Sequence, residues 1–479
     1  MSLGTTLPFP RRIYPLSPQD LTEEQLAVVF AMTSRRPEAF DEIALQVSQE
    51  KAANFHERWV LGYGHASVAE HAVLHMAVEN VSRMACDTLE DNRLASYTEK
   101  SSRFQVLPKG YYWIPKELEQ HPELRHIYTQ TCDHLFATYE ELVSSLLVYL
   151  QSVRPKKKNE RDVSYNLRLR RESIDSCRFI LPACTLTNVG VTMNARSMEY
   201  AISKLLSSDL VEERDLGEDI KVKGQEITPT LIKYANFNNY IATTRRIKTE
   251  WASRQDDLSP EAHIDARLVH FDREADMKLA TTLIYRSSGI QYKHAWDQAR
   301  EIGEENRWKL IESSLEGLGP HDPTPREFEM VDYIFELVMD YGAYREFKRH
   351  RMQSYIPQPL TVSHGILLPP LVYEAGLETS FRKAAMRAEK SFWSLHETNP
   401  IIAPYLVTHA HKRRVLTKIN VRECYHLFKM RTQQQAHFSI RQVMDKALKE
   451  SVAVHPHIFS QLPLRDYPKW WPFATTIDP

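Results

Sequence analysis

Arg349, His350 and Arg351 stand side by side, with Ser354 closing the pattern, in the stretch KRHRMQSYIPQPLTVSHG. Two guanidiniums flanking an imidazole make a dense cationic patch suited to a planar, polar or phosphorylated ligand. The plainer alternative is a solvated basic helix end. A second group is Glu99, Ser101, Ser102, Arg103 and Phe104 in SYTEKSSRFQVLP. Its hydroxyls, its arginine and its turn amides form a cradle for a phosphate monoester. Glu99 would accept from a sugar hydroxyl or orient Arg103, and a plain polar turn is the alternative. A third group, His65, Ser67, Glu70 and His71, precedes His75. The four-residue step from His71 to His75 invites a zinc reading, but the segment after Ala72 reads as strand, which spaces the two rings too widely to chelate. No other ligand spacing supports it, so no metal site is expected. The fourth group is Asn420, Arg422, His426, Arg431 and Gln435 in INVRECYHLFKMRTQQQAHFSIR. On a helix, positions 424, 428, 431 and 435 share a face, so Arg431 and Gln435 would point into one site.

These residues need elements to place them. LTEEQLAVVFAMTS reads as a helix with Thr22 as N-cap. Residues 72–81 alternate as a strand, with Leu74, Met76 and Val78 on one face. SRMACDTLEDNR reads as a helix capped by Ser82. Residues 130–153 form an amphipathic helix with Leu135, Tyr139, Leu142, Leu146 and Tyr149 at helical spacing. The basic stretch 154–171 has Tyr165 as its single aromatic. It is expected to be a solvated loop rather than a base-stacking nucleic-acid surface. Residues 241–262 are polar and contain Pro260, and they are expected to be a linker.

The second half restarts the order of the first. MKLATTLIYRSSG echoes QLAVVFAMTSRRP, and FEMVDYIFEL echoes AVLHMAVENV. MDYGAYREFKRHR then echoes SRMACDTLEDNR, and IIAPYLVTHAHKRRVLTKINVREC echoes SCRFILPACTLTNVGVTMNARSM. Four correspondences in one order point to duplication, at roughly 210–230 residues per copy. The expected domains are residues 1–245 and 246–479.

The motifs HxSxxEH, RHRxxS, ExSxR, an Arg before Leu-Pro, and N-x-R with a downstream Arg resemble the flavin-dependent thymidylate synthases across most of both halves. RHRxxS is the most specific of them and is complete only in the second copy. The resemblance implies an α/β (α+β) fold in two tandem copies. The family is homotetrameric and builds each active site from more than one subunit. Here the losses are complementary. The first copy has Asp91, Asn92 and Arg93 at the RHR position and Leu205 where the second has Arg431, but it keeps His65, Ser67, Glu70, Ser96, Glu99, Ser101, Ser102, Arg103 and Arg178. The second has Pro357, Pro359 and Thr361 at the ExSxR position, but it keeps Arg349, His350, Arg351, Ser354, Asn420, Arg431 and Gln435. Random decay of both copies would not divide the functions so cleanly, which implies one composite site.

By resemblance, the reaction is reductive methylation of dUMP to dTMP, with FAD as cofactor and NADPH and methylenetetrahydrofolate as co-substrates. Ser101, Ser102, Arg103 and Arg178, with Glu99, would hold the nucleotide, and Glu346 stands near the uracil where the family often has Gln. Arg431 and Arg349 would serve catalysis at the uracil. His350, Arg351, Asn420, His426 and Gln435, with Arg349, His65 and Ser67, would hold FAD. The expected assembly is a homodimer of two-copy chains mimicking a tetramer. The alternatives are a flavin- and nucleotide-binding pseudoenzyme, or a flavoenzyme acting on another pyrimidine nucleotide.

Bulk properties frame these readings. The 479 residues suit two or three domains, and 42% hydrophobic with 26% charged residues is typical of globular chains. A net charge of −1 gives no global bias towards nucleic acid or membrane. Five cysteines, an odd number with no CxxC pair, point to a reducing cytoplasmic setting. Neither a signal peptide nor a membrane span is expected from the apolar runs.

Overall fold

The computed structural model describes residues 12, 14, 16, 20–252 and 265–473. The chain forms two compact units. The first comprises Met1–Lys100, Pro115–Glu117 and Leu186–Asp256, and the second comprises Ser101–Ile114, Leu118–Thr185 and Asp257–Pro479.

In the first unit, helix Glu23–Thr33 starts at a capping box in which Thr22 accepts from the Gln25 amide and Gln25 returns a bond to the Thr22 amide. Three antiparallel strands follow: β1 (Val73–Ser82), β2 (Ala95–Glu99) and β3 (Leu186–Asn194), in the order β1-β3-β2. Along β1, Leu74 is buried with Met76 and Val78 half-buried on the same side, as the alternation predicts. Asn80 adopts a positive φ of 57° where the β1–β3 register shifts, a bulge after which pairing resumes at Val81 and Ser82. Ser82 caps helix Arg83–Leu89. Helix Ala195–Leu206 buries Met198, Ala201, Ile202 and Leu205 at helical spacing, in one core with Leu74 and Met193 of the sheet.

The second unit carries β4 (Ala266–Phe271), β5 (Asp332–Asp340), β6 (Ser354–Pro357) and β7 (Lys412–Asn420), in the order β4-β5-β7-β6. Helices Pro122–Val153 and Glu378–Thr398 pack together there, and the Thr131 and Ser391 hydroxyls meet at 2.7 Å. The first of these helices starts earlier than its apolar pattern, because Pro122 at its first turn needs no amide partner.

The two sheets share register as well as order. Val73 faces Asn194 and Asp332 faces Asn420, while Ser96 faces Thr192 and Ser354 faces Lys418. Asn194 and Asn420 cap the helices that follow, each accepting from the third amide along. Two residues past each cap, Arg196 pairs with Glu70 at 2.5 Å and Arg422 with Glu329 at 2.7 Å. Within the second unit, the Ala183 amide donates to the Val407 carbonyl at 2.8 Å and the His409 amide to the Leu181 carbonyl at 3.0 Å. Positions 183 and 409, like 181 and 407, are separated as the two caps are. The two bonds therefore exchange matched positions about a local two-fold at the Pro182–Thr408 bridge.

The compact units cut across the expected copies: residues 101–114 and 118–185 fold with the second half. Two expectations change. Of the expected linker, Asn239–Ala252 is a helix with no buried residue, and 253–264 lie outside the described residues. Most of the basic stretch 154–171 is the start of helix Asp162–Cys177, whose buried Leu169, Ser173, Ile174 and Cys177 supply the apolar stripe that the charges mask in the sequence. Among the described residues, no helix is long and apolar enough to cross a membrane.

Candidate active site

The cationic triplet separates by exposure. It follows helix Tyr341–Phe347, and in it Arg349 and Arg351 are exposed while His350 is 5% exposed. The His350 ring is fixed at both nitrogens. Arg431 Nε donates to its Nε2 at 2.9 Å, and its Nδ1 lies 3.2 Å from Glu423 Oε1. A guanidinium only donates, so Nε2 must be the acceptor and Nδ1 must carry the proton. Burial holds the His350 ring below the usual histidine range, and the Glu423 bond partly offsets it. Arg431 also donates to the Glu346 carbonyl at 3.2 Å and meets the Glu346 carboxylate at 3.4 Å. Arg349 is close enough to Arg431 to oppose its charge.

The same unit contains the phosphate-cradle residues. Ser102 is buried, and Ser101 Oγ accepts from the Arg103 amide at 3.3 Å. Arg103 grips both oxygens of Asp175 at 3.0 and 2.9 Å, and Arg178 reaches the same carboxylate at 2.9 Å. Glu346 acts on Arg103 as well as on Arg431, so one arginine from each half shares an acidic neighbour. Behind them His437 Nε2 lies 3.7 Å from Asp175, and its Nδ1 is 2.9 Å from Ser439 Oγ. Burial, with Arg178 adding to it, pushes His437 down to about 3. Burial works to raise Asp175, but Arg178, His437 and Arg103 outweigh it and hold its carboxyl below the usual range. Asp340, capping through the Ala343 amide, is pushed up to about 6 by burial.

A cavity of about 430 Å³ opens beside His350 in this unit, lined among others by Thr324, Met352, Asn420, Arg422, Glu423 and His426. The rings of His350 and His426 lie 5.3 Å apart. Thr324 is 3% exposed, and its Oγ1 has no hydrogen-bond partner among the described residues.

Other expected residues lie elsewhere. Glu99 belongs to the first unit, where it accepts from Arg83 at 2.8 Å and from Thr187 at 2.9 Å. It therefore orients Arg83, and its side chain is 3% exposed. His65 and Ser67 are exposed, also in the first unit. Gln435 is not on the Arg431 helix, which ends at Arg431 itself; it sits in an exposed turn. His71 stacks on Phe30 at 4.7 Å, and His75 bonds Thr192 at 2.9 Å. A different group, Cys86, Glu90 and Glu99, brings ligand atoms within 4.8 Å of one another. Reading the sequence missed Asp175, Glu423 and His437 as site residues. Asp175, three residues before Arg178, carried a usable signal, an acid one turn from a singled-out arginine; the other two carried none.

A family model described as thymidylate synthase complementing protein matches residues 19–230 and 267–457. The chain is 30% identical over 433 residues to a UPF0159 protein of Chlamydia muridarum, covering 87% of this chain and 82% of that one. It is 28% identical over 448 residues to a UPF0159 protein of Thermoplasma acidophilum, covering 86% and 88%. It is also similar to a flavin-dependent thymidylate synthase of Clostridium tetani, 27% identical over 214 residues, which are 44% of this chain but 82% of that protein.

Proposed function

Since this chain belongs to the thymidylate synthase complementing protein family, we propose that it is a tandem two-copy flavin-dependent thymidylate synthase. It methylates dUMP reductively to dTMP with methylenetetrahydrofolate and NADPH, at a composite site to which both copies contribute. One observation carries this reading: Arg103 and Arg178 of the first half lie in the same compact unit as His350 and Arg431 of the second, and Glu346 is an acidic neighbour of both Arg103 and Arg431. The match of 82% of a synthase to 44% of this chain supports two copies.

Ser101, Ser102, Arg103 and Arg178 hold the phosphate and sugar of the nucleotide, with Asp175 keeping the two guanidiniums together. Arg431 and Arg349 face the uracil and stabilise negative charge that develops on it. The cavity residues suit a flavin: Arg422 and Asn420 offer polar contacts, His426 a ring face, and Thr324 a hydroxyl in want of a partner. FAD, when bound, supplies the hydride chemistry. Arg351 and Gln435 complete the FAD contacts of this unit, and Glu346 contacts the base. The working assembly is a homodimer of two-copy chains.

A second reading, a flavin- and nucleotide-binding protein without methyl transfer, draws on Glu99, whose carboxylate is bound to Arg83 instead of facing a sugar. The test is the visible absorbance of the purified protein, with FAD supplied, before and after dUMP. A flavin spectrum that shifts with dUMP, together with dTMP formation from the co-substrates, is the expected result. The same shift without dTMP selects the second reading, and no flavin uptake ends both.

A further inference from the structure

We infer that Glu423 is a positioning residue for the nucleotide: by holding His350 as the Nδ1–H tautomer, it presents the Nε2 lone pair that aims Arg431. The inference rests on the reading of Arg431 as a dUMP contact. Three side chains form the chain Glu423–His350–Arg431, joined at 3.2 and 2.9 Å, and they are 7%, 4% and 17% exposed. Its two ends differ in surroundings. Glu423 lines the cavity read as the flavin pocket, while Arg431 meets Glu346, the acid shared with Arg103.

The chemistry of the donors makes the dependence directional. Arg431 offers only N–H groups, so it can bond His350 only where the ring is unprotonated. A neutral imidazole without a partner prefers its proton on Nε2, which would set a donor against the Arg431 donor. Glu423, buried and acceptor-only when ionised, selects the other tautomer. This is the arrangement by which a carboxylate orients a functional histidine elsewhere, here serving a guanidinium instead of a metal or a nucleophile.

The matched positions of the first half have lost the whole chain together. The residue three past the Asn194 cap is Ser197, where the residue three past the Asn420 cap is Glu423. Asn92 stands where the second half has His350, and Leu205 where it has Arg431. A carboxylate kept only for helix capping or solubility would not be expected to follow its two partners.

Two measurements test the proposal on the full-length protein: the ¹⁵N spectrum of histidine-labelled protein, with His350 assigned through H350N, and calorimetric dUMP binding. The Nδ1–H tautomer is expected at His350 in the wild type and in E423Q, whose amide oxygen still accepts, and the Nε2–H tautomer in E423A and E423S. Binding of dUMP should weaken roughly five- to tenfold in E423A, the size expected for one positioning hydrogen bond. It should recover in E423Q, and E423A should add no further loss in an R431A background. An Nε2–H tautomer in the wild type overturns the proposal, as does an E423A loss that persists in full beside R431A. Tautomers that respond as expected in a protein binding no dUMP would uphold the relay but refute the synthase reading.

Discussion

Arg431 is held by an imidazole, a carboxylate and a carbonyl, and burial keeps its guanidinium below the usual arginine range. A cation fixed in that way costs little reorganisation when charge develops beside it, which is the condition for large electrostatic catalysis. Replacing Arg431 by alanine is expected to lower dTMP formation by about 100-fold or more while flavin content, read from absorbance, stays near wild type. Retained turnover would remove Arg431 from the chemistry. The arginines 103, 178, 349 and 431 were legible because each sits in a recognisable run. Their partners were not, because a carboxylate such as Asp175, 72 residues from Arg103, becomes a partner only when the chain brings it back.

Helix Val421–Arg431 delivers Glu423 and Arg431 to the site from one rigid segment, and Asn420 sets where that segment begins. The cap leaves the strand β7 in extended geometry and satisfies the Glu423 amide at 2.9 Å. Asn420→Ala is expected to destabilise the protein by about 1 kcal/mol, read as a lower denaturation midpoint by circular dichroism, with Asn420→Asp close to wild type. An unchanged midpoint in the alanine variant would mean the cap is not what fixes this helix. Strand β1 and the helix starts at Thr22 and Ser82 were readable because alternation and caps are local signals. The helix end was not: Thr432 bonds back to the Phe428 carbonyl at 2.8 Å, and Asp466 takes the Gln434 amide at 2.8 Å, so the turn is fixed partly by a distant segment.

At the scale of the molecule, the proposed two-copy chain stands for two subunits of a tetrameric synthase, so two chains should complete the assembly. Light scattering of the purified protein is expected to give twice the mass of one chain across a tenfold dilution. A stable monomer with full activity would show that one chain suffices. The compact units bear on this expectation, because they do not coincide with the proposed copies: Leu118–Thr185 of the first half folds with Asp257–Pro479. Cutting the chain between residues 245 and 246 would therefore separate pieces of one unit.

The sequence by itself determined the mixed α+β character, the order of motifs, the near identity of the two element orders and the arginines most fit for an anionic ligand. These follow from residue type and short-range spacing, which covalent geometry converts directly into strands, helices and caps. Only the tertiary structure decided which residues complete one another. It turned Glu99 towards Arg83, placed Asp175 between Arg103 and Arg178, and fixed the tautomer of His350 between Glu423 and Arg431. The physical reason is range: a buried polar group must find a partner wherever the fold supplies one, and sequence spacing does not record which distant segment that is.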